Sequence, residues 1–178
     1  MKFYLKGFIF FIFFFPFYFS ESYAENINHS TQTVDYASLV DQHIEPLGEK
    51  VIIVDPIKHV WAAYDAQGQL LRAGVATTGS HWCPDLGRPC RTAMGKFRIK
   101  SLGGPACKSS QFPKPYGGAP MPYCMFFNKG QALHGSPTSQ VRPANLSHGC
   151  VRLRIEDAEW IRYDFASVGT LVIIKPYL

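Results

Sequence analysis

Two short elements concentrate the residue types that can do covalent chemistry. The first is Ala132-Leu133-His134-Gly135-Ser136; the second, beginning twelve residues after Gly135, is Ser147-His148-Gly149-Cys150-Val151-Arg152-Leu153. A cysteine becomes a strong nucleophile only when something lowers its thiol pKa from about 8.5 and takes up its proton, and an imidazole within reach does both. Here His134 and His148 are both in range of Cys150. Gly149 permits a tight backbone bend before Cys150, so that consecutive amide hydrogens can converge on a developing oxyanion. A single His-Gly pair, or a lone buried cysteine, carries little information. Their combination in twenty residues is far more specific and points to a nucleophilic thiol.

The charge pattern suits such a site. From Leu86 to Ile155 there is no Asp or Glu, while eleven Lys and Arg occur, among them Arg88, Arg91, Arg152 and Arg154. Such a block favours an anionic partner. Helix-turn-helix, RNA-binding strand and zinc-finger patterns are missing, so nucleic acid is not the expected partner. The same stretch offers no local carboxylate to orient His134, which leaves a backbone carbonyl near Gly135 or Ser136.

Positioning these residues falls to a chain of 178 residues with net charge +5, the size of one domain. Nine of its fourteen Phe lie in the first 24 residues. Lys2 and Lys6 precede a twelve-residue apolar run, Phe8 to Phe19, and Ser22-Tyr23-Ala24 follows it. That is the layout of a secretory signal peptide cleaved after Ala24. The run is short for a membrane span of about 20 residues and contains Pro16, so no stable span is expected after cleavage. Residues 25–48 read as a polar linker with a short helix around Tyr36 to His43. From Val51 short β-rich runs begin: Val51–Val54, His59–Tyr64, a hairpin turn at Gly68, Leu70–Thr77, Gly95–Lys100, Tyr123–Phe127, Gln131–His134 and Leu171–Lys175. One helix is expected after Glu156, burying Ala158, Trp160, Ile161, Phe165 and Val168, and ending at Gly169.

Residues 84–143 hold nine Pro and eight Gly, and the part from Ser101 to Pro122 is long for a plain connection. Loops of that length are usually functional, so this one is expected to border the site. The fold class is therefore mainly β, a sandwich or barrel-like sheet with one packed α-helix and long Gly/Pro-rich loops.

The two elements resemble the L,D-transpeptidase catalytic domain, the YkuD family, whose pattern is an upstream His-Gly followed by Ser/Thr-His-Gly-Cys. Further likeness lies in Arg91 to Ile99, with Ala93 where the family usually has proline, and in Met121 to Phe127. The gap from His134 to Ser147 is slightly shorter than in many members. The resemblance covers residues 49–176. It implies Cys150 as nucleophile, His134 as general base, His148 as a positioning residue and the amides around Gly149 as the oxyanion hole. Arg152, with Ser147, Tyr123 and Gly135, would meet the substrate. The implied substrate is a peptidoglycan tetrapeptide stem, handled without cofactor or metal by an exported monomer in the periplasm or at the wall. Carboxypeptidase action at the same site, or a non-catalytic wall-binding module, are the alternatives. A papain-like protease fits poorly, because its histidine lies far downstream of its cysteine and here His134 precedes Cys150 by sixteen residues.

Four cysteines remain: Cys83, Cys90, Cys107 and Cys124. Three pairings are open in an oxidising compartment. Cys83 with Cys90 and Cys107 with Cys124 is favoured, since these close a short loop and the long Gly/Pro loop. The competing arrangement is a zinc site of His81, Cys83, Cys90 and Cys107.

Overall fold

The computed structural model describes residues 1–2 and 34–178. The signal-peptide expectation for residues 1–24 lies almost wholly outside them, as does the first part of the expected linker. The account below concerns Val34–Leu178.

Eleven strands follow in order: β1 (Val51–Asp55), β2 (Val60–Tyr64), β3 (Leu70–Val75), β4 (Thr78–Gly79), β5 (Gly95–Arg98), β6 (Ser101–Leu102), β7 (Met125–Asn128), β8 (Gln131–Ser136), β9 (Asn145–Ser147), β10 (Val151–Arg154) and β11 (Leu171–Ile174). Helix α1 (Ile155–Trp160) follows β10 and runs into a π-helical turn, Ile161–Phe165. A five-stranded sheet has the order β3-β2-β1-β11-β5, and a four-stranded sheet the order β10-β8-β7-β6. β4 and β9 form a small pair beside them.

The core lies between the two larger sheets. Ile52, Val54, Trp61 and Val172 from the first meet Met125, Phe127, Leu133, Val151 and Leu153 from the second, with Ala158, Ile161 and Phe165 from the helical segment alongside. Burying a large aliphatic or aromatic side chain is worth about 1.5–3 kcal/mol, so this contiguous cluster dominates stability. The expected helical stripe is one residue too long: Val168 is exposed, because the helical run stops at Phe165 and Gly169 (φ +97°) turns the chain into β11.

The central strand β1 is buried on both faces. Its outer face, with Val51 and Ile53, packs against Val40 and Ile44 from residues 34–48. That segment, read from its polarity as a linker, is thus docked along the sheet; it contains a 3-10 turn, Tyr36–Leu39. The Ile44 amide donates to the Gly68 carbonyl (2.9 Å) and the Leu70 amide to Gln42 (3.0 Å). Gly68 combines φ +86° with a backbone approach so close that a Cβ would lie 2.1 Å from the Ile44 carbonyl oxygen, so only glycine serves in this hairpin turn.

Most important for the site, β8 and β10 are parallel neighbours with Arg152 opposite His134 and Val151 opposite Leu133. Parallel neighbours need a crossover. Here it runs from Pro137 to Cys150 through the 3-10 turn Thr138–Gln140 and β9.

Candidate active site

Strand alternation divides β8 and β10 into two faces. Leu133, Val151 and Leu153 enter the core, fully buried. His134 and Arg152, partners in register, share the other face, and Cys150 sits two residues before Arg152 in the same alternation. All three line one cleft of about 240 Å³. The cleft takes its far wall from the long loop, through Ser109, Gln111, Phe112 and Pro120, and another wall from Arg88, Cys90 and Arg91. The expectation that the Ser101–Pro122 loop borders the site therefore holds, although its first two residues form β6.

His134 is 5% exposed. Its Nδ1 lies 2.8 Å from the Gly135 carbonyl oxygen, with the Ser136 hydroxyl at 3.4 Å. A carbonyl only accepts, so Nδ1 carries the hydrogen and Nε2 keeps its lone pair. Burial lowers the His134 pKa to about 4, against the opposing hydrogen bond to Gly135 and assisted by the Arg152 charge. The ring is neutral at physiological pH and competent to accept a proton.

Cys150 is the unpaired cysteine. Burial pushes its thiol above the ordinary value, while the Ala132 backbone and the Arg152 guanidinium act in the opposite direction. Its hydrogen-bond partner is the Gly130 carbonyl, 3.8 Å away. The resting pair is thus a neutral thiol and a neutral imidazole. This differs from the thiolate expected beside an imidazole from the motif, because both groups are desolvated and no carboxylate stabilises the imidazolium.

The turn carrying Cys150 is held from several sides. Gly149 adopts φ +119°, a conformation that favours glycine. Its amide donates to Ser147 Oγ (3.1 Å), and the same hydroxyl donates to the Cys150 carbonyl. The buried Thr92 hydroxyl donates to the Gly149 carbonyl (2.9 Å) and accepts from the Gly79 amide (3.0 Å). Ser147, expected at the substrate, borders the cleft but spends its hydroxyl on this turn. Gly135 is likewise occupied with structure: its amide donates to the Pro122 carbonyl (2.8 Å). Tyr123 is not brought to the cleft at all. At φ +58° it turns toward α1, where its hydroxyl donates to Glu159 (2.8 Å) and its ring meets Tyr163 edge-on.

His148 is exposed rather than buried, and its Nε2 lies 2.8 and 3.0 Å from the two carboxylate oxygens of Asp85. Phe112 packs on the ring at 4.7 Å between centroids. Arg152 is half-buried, and its guanidinium has no carboxylate partner among the described residues. Neither Asp nor Glu lines the cleft. Cys83 lies at disulfide distance from Cys90, and Cys107 from Cys124, with Cα separations of 5.9 and 6.2 Å. The residues of the alternative zinc site, His81, Cys83, Cys90 and Cys107, are not brought together among the described residues.

A family model of the L,D-transpeptidase catalytic domain, YkuD, matches residues 49–174, most of the chain. The chain belongs to the YkuD family of L,D-transpeptidase catalytic domains. No curated protein matches it. Among solved structures, it is similar to an L,D-transpeptidase from Xylanimonas cellulosilytica DSM 15894 (TM-score 0.63, 23% identity, covering 77% of this chain and 65% of that one). It is also similar to an L,D-transpeptidase from Mycobacterium smegmatis (0.57, 24%, 72% and 59%). A third is L,D-transpeptidase 3 from Mycobacterium tuberculosis, solved in complex with a faropenem-derived adduct (0.57, 21%, 71% and 60%). These identities establish a shared fold, and the chain spans less than two thirds of each of those chains.

Within this YkuD domain, three residues that hold the Cys150 turn or the His148 ring escaped the sequence reading. Asp85, Thr92 and Phe112 reach the Cys150 turn from 65, 58 and 38 residues away. Asp85 did carry one signal, since it is the last carboxylate before the acid-free block and is flanked by Cys83 and Cys90. Thr92 and Phe112 carried none.

Proposed function

We propose that this chain is an exported, cysteine-dependent L,D-transpeptidase acting on peptidoglycan tetrapeptide stems. The observation that carries the reading is the β8–β10 register, which puts His134, Cys150 and Arg152 on one face of an acid-free cleft. In the first step His134 Nε2 takes the thiol proton as Cys150 Sγ attacks the carbonyl of the third stem residue, usually meso-diaminopimelate. The C–N bond to the terminal D-alanine breaks, the imidazolium returns its proton to the leaving amine, and a thioester remains. An acceptor amine then attacks the thioester, loses its proton to His134, and forms a link between third residues or exchanges the terminal D-amino acid.

Because thiol and imidazole start neutral, proton transfer accompanies attack and the developing oxyanion needs donors. The Gly149 amide is engaged by Ser147, so the flanking amides of His148 and Cys150 serve this role. Arg152 meets a substrate carboxylate, and Arg88 and Arg91 add positive potential at the cleft wall. Residues 1–24 act as the export signal, and the pairs Cys83–Cys90 and Cys107–Cys124 are disulfides in the oxidising space beyond the membrane, periplasmic or wall-associated.

The test is mass spectrometry of purified disaccharide-tetrapeptides incubated with the chain lacking residues 1–24. Loss of D-alanine with formation of dimers linked through third residues is the expected result. Loss of D-alanine alone would assign the carboxypeptidase outcome, and no change would leave wall binding.

A further inference from the structure

Two loops that are distant in sequence meet on one imidazole. The short loop from Cys83 to Cys90, whose ends are paired through sulfur, brings Asp85 to His148 Nε2. The long loop, pinned by Cys107 and Cys124, lays Phe112 on the ring. His148 lies two residues before Cys150 in a turn where Gly149 is already held by Ser147 and Thr92. Without Asp85 the ring would keep only its contact with Phe112, and the turn would lose the one side-chain polar anchor at His148.

We propose that Asp85 is a positioning residue for the transfer reaction: through its hydrogen bonds to His148 it fixes the ring against Phe112 and holds the backbone amides beside Cys150 in line for the oxyanion. This rests on the transpeptidase reading. A carboxylate only accepts, so Asp85 selects the tautomer of His148 that carries its hydrogen on Nε2. Asp85 touches neither the thiol nor His134. Its side chain is 54% exposed, and an ion pair at such a site contributes little to stability. Its effect should therefore fall on rate and leave folding intact.

A double-mutant cycle on the chain lacking residues 1–24 tests this, reading acylation of Cys150 by a carbapenem through intact mass. Asp85→Ala should slow acylation between about 10- and 100-fold, the scale of a displaced reacting group. In a His148→Ala background the same change should have no further effect, because its only route is through the ring. Asp85→Asn, which keeps an acceptor oxygen at the same reach, should recover most of the loss. All variants should share the wild-type unfolding midpoint. In parallel, nitrogen-detected NMR of the His148 ring should show the Nε2-protonated tautomer in wild type and a mixture in Asp85→Ala. Equal slowing in both backgrounds, a wild-type rate in Asp85→Ala, or an unchanged tautomer would each overturn the proposal. A wild-type chain that neither carbapenem nor stem peptide acylates would overturn the transferase reading, and the tautomer would still decide whether Asp85 holds the ring.

Discussion

His134 directs Nδ1 at the carbonyl oxygen of its own neighbour, Gly135, 2.8 Å away, so the orientation of the ring comes from backbone and not from an acid. In a Cys-His-carboxylate arrangement the acid also stabilises the imidazolium as it forms. Here that stabilisation is smaller, and the neighbouring Arg152 disfavours the charged ring further. In the proposed reaction, proton transfer must then accompany attack between two neutral groups.

Cys150→Ala should abolish the acyl-enzyme with both carbapenem and tetrapeptide while preserving the fold. His134→Ala should slow acylation on the order of 10² to 10⁴-fold, the range for loss of a general base. His148→Ala should cost less. Intact-mass time courses separate the three, and full acylation of the Cys150→Ala chain would defeat the assignment of the nucleophile.

Stability should fall as the medium is acidified, through His134. Its folded pKa is about 4, against about 6.5 when unfolded. Between those values the unfolded chain binds the proton and the folded chain does not. The contribution is therefore complete above pH 6.5, declines as pH falls toward 4, and is flat below. The full difference is about 3 kcal/mol. Urea midpoints at pH 7.5 and 4.5 should drop more for wild type than for His134→Gln; equal drops would contradict the burial argument.

Alkylation of Cys150 by iodoacetamide should be slow at neutral pH and rise only above the ordinary thiol range, because burial raises its pKa. Arg152→Gln should move that rise to still higher pH, since the guanidinium favours the thiolate. Rapid alkylation near pH 6 would show a preformed ion pair instead.

Non-reducing peptide mapping of secreted protein should recover Cys83 with Cys90 and Cys107 with Cys124, with Cys150 alone open to alkylation. Edman sequencing of the same material should begin at Glu25. A bridge involving Cys150 in active protein, or a retained Met1 in a membrane fraction, would overturn these assignments.

Local order along the chain determined a good deal. The β-rich runs and turn residues specified seven strands, among them the one holding His134, and the Gly68 turn, because strand patterning and turn chemistry act between near neighbours; β4, β6, β9 and β10, which follows Cys150, escaped that local signal. Which residues share the Cys150 face was decided by the parallel register of β8 and β10, which depends on a crossover closing across the domain. The same distinction explains Tyr123, close to the motif in sequence yet turned to Glu159, and Val168, in phase with a helix that had already ended. The polar look of residues 34–48 hid Val40 and Ile44, whose partial burial the outer face of the five-stranded sheet supplies. Asp85 and Phe112 converge on His148 because two loops, each with a cysteine pair at disulfide distance, are carried there by the sheets, and the desolvation that makes His134 and Cys150 neutral exists only once that packing is complete.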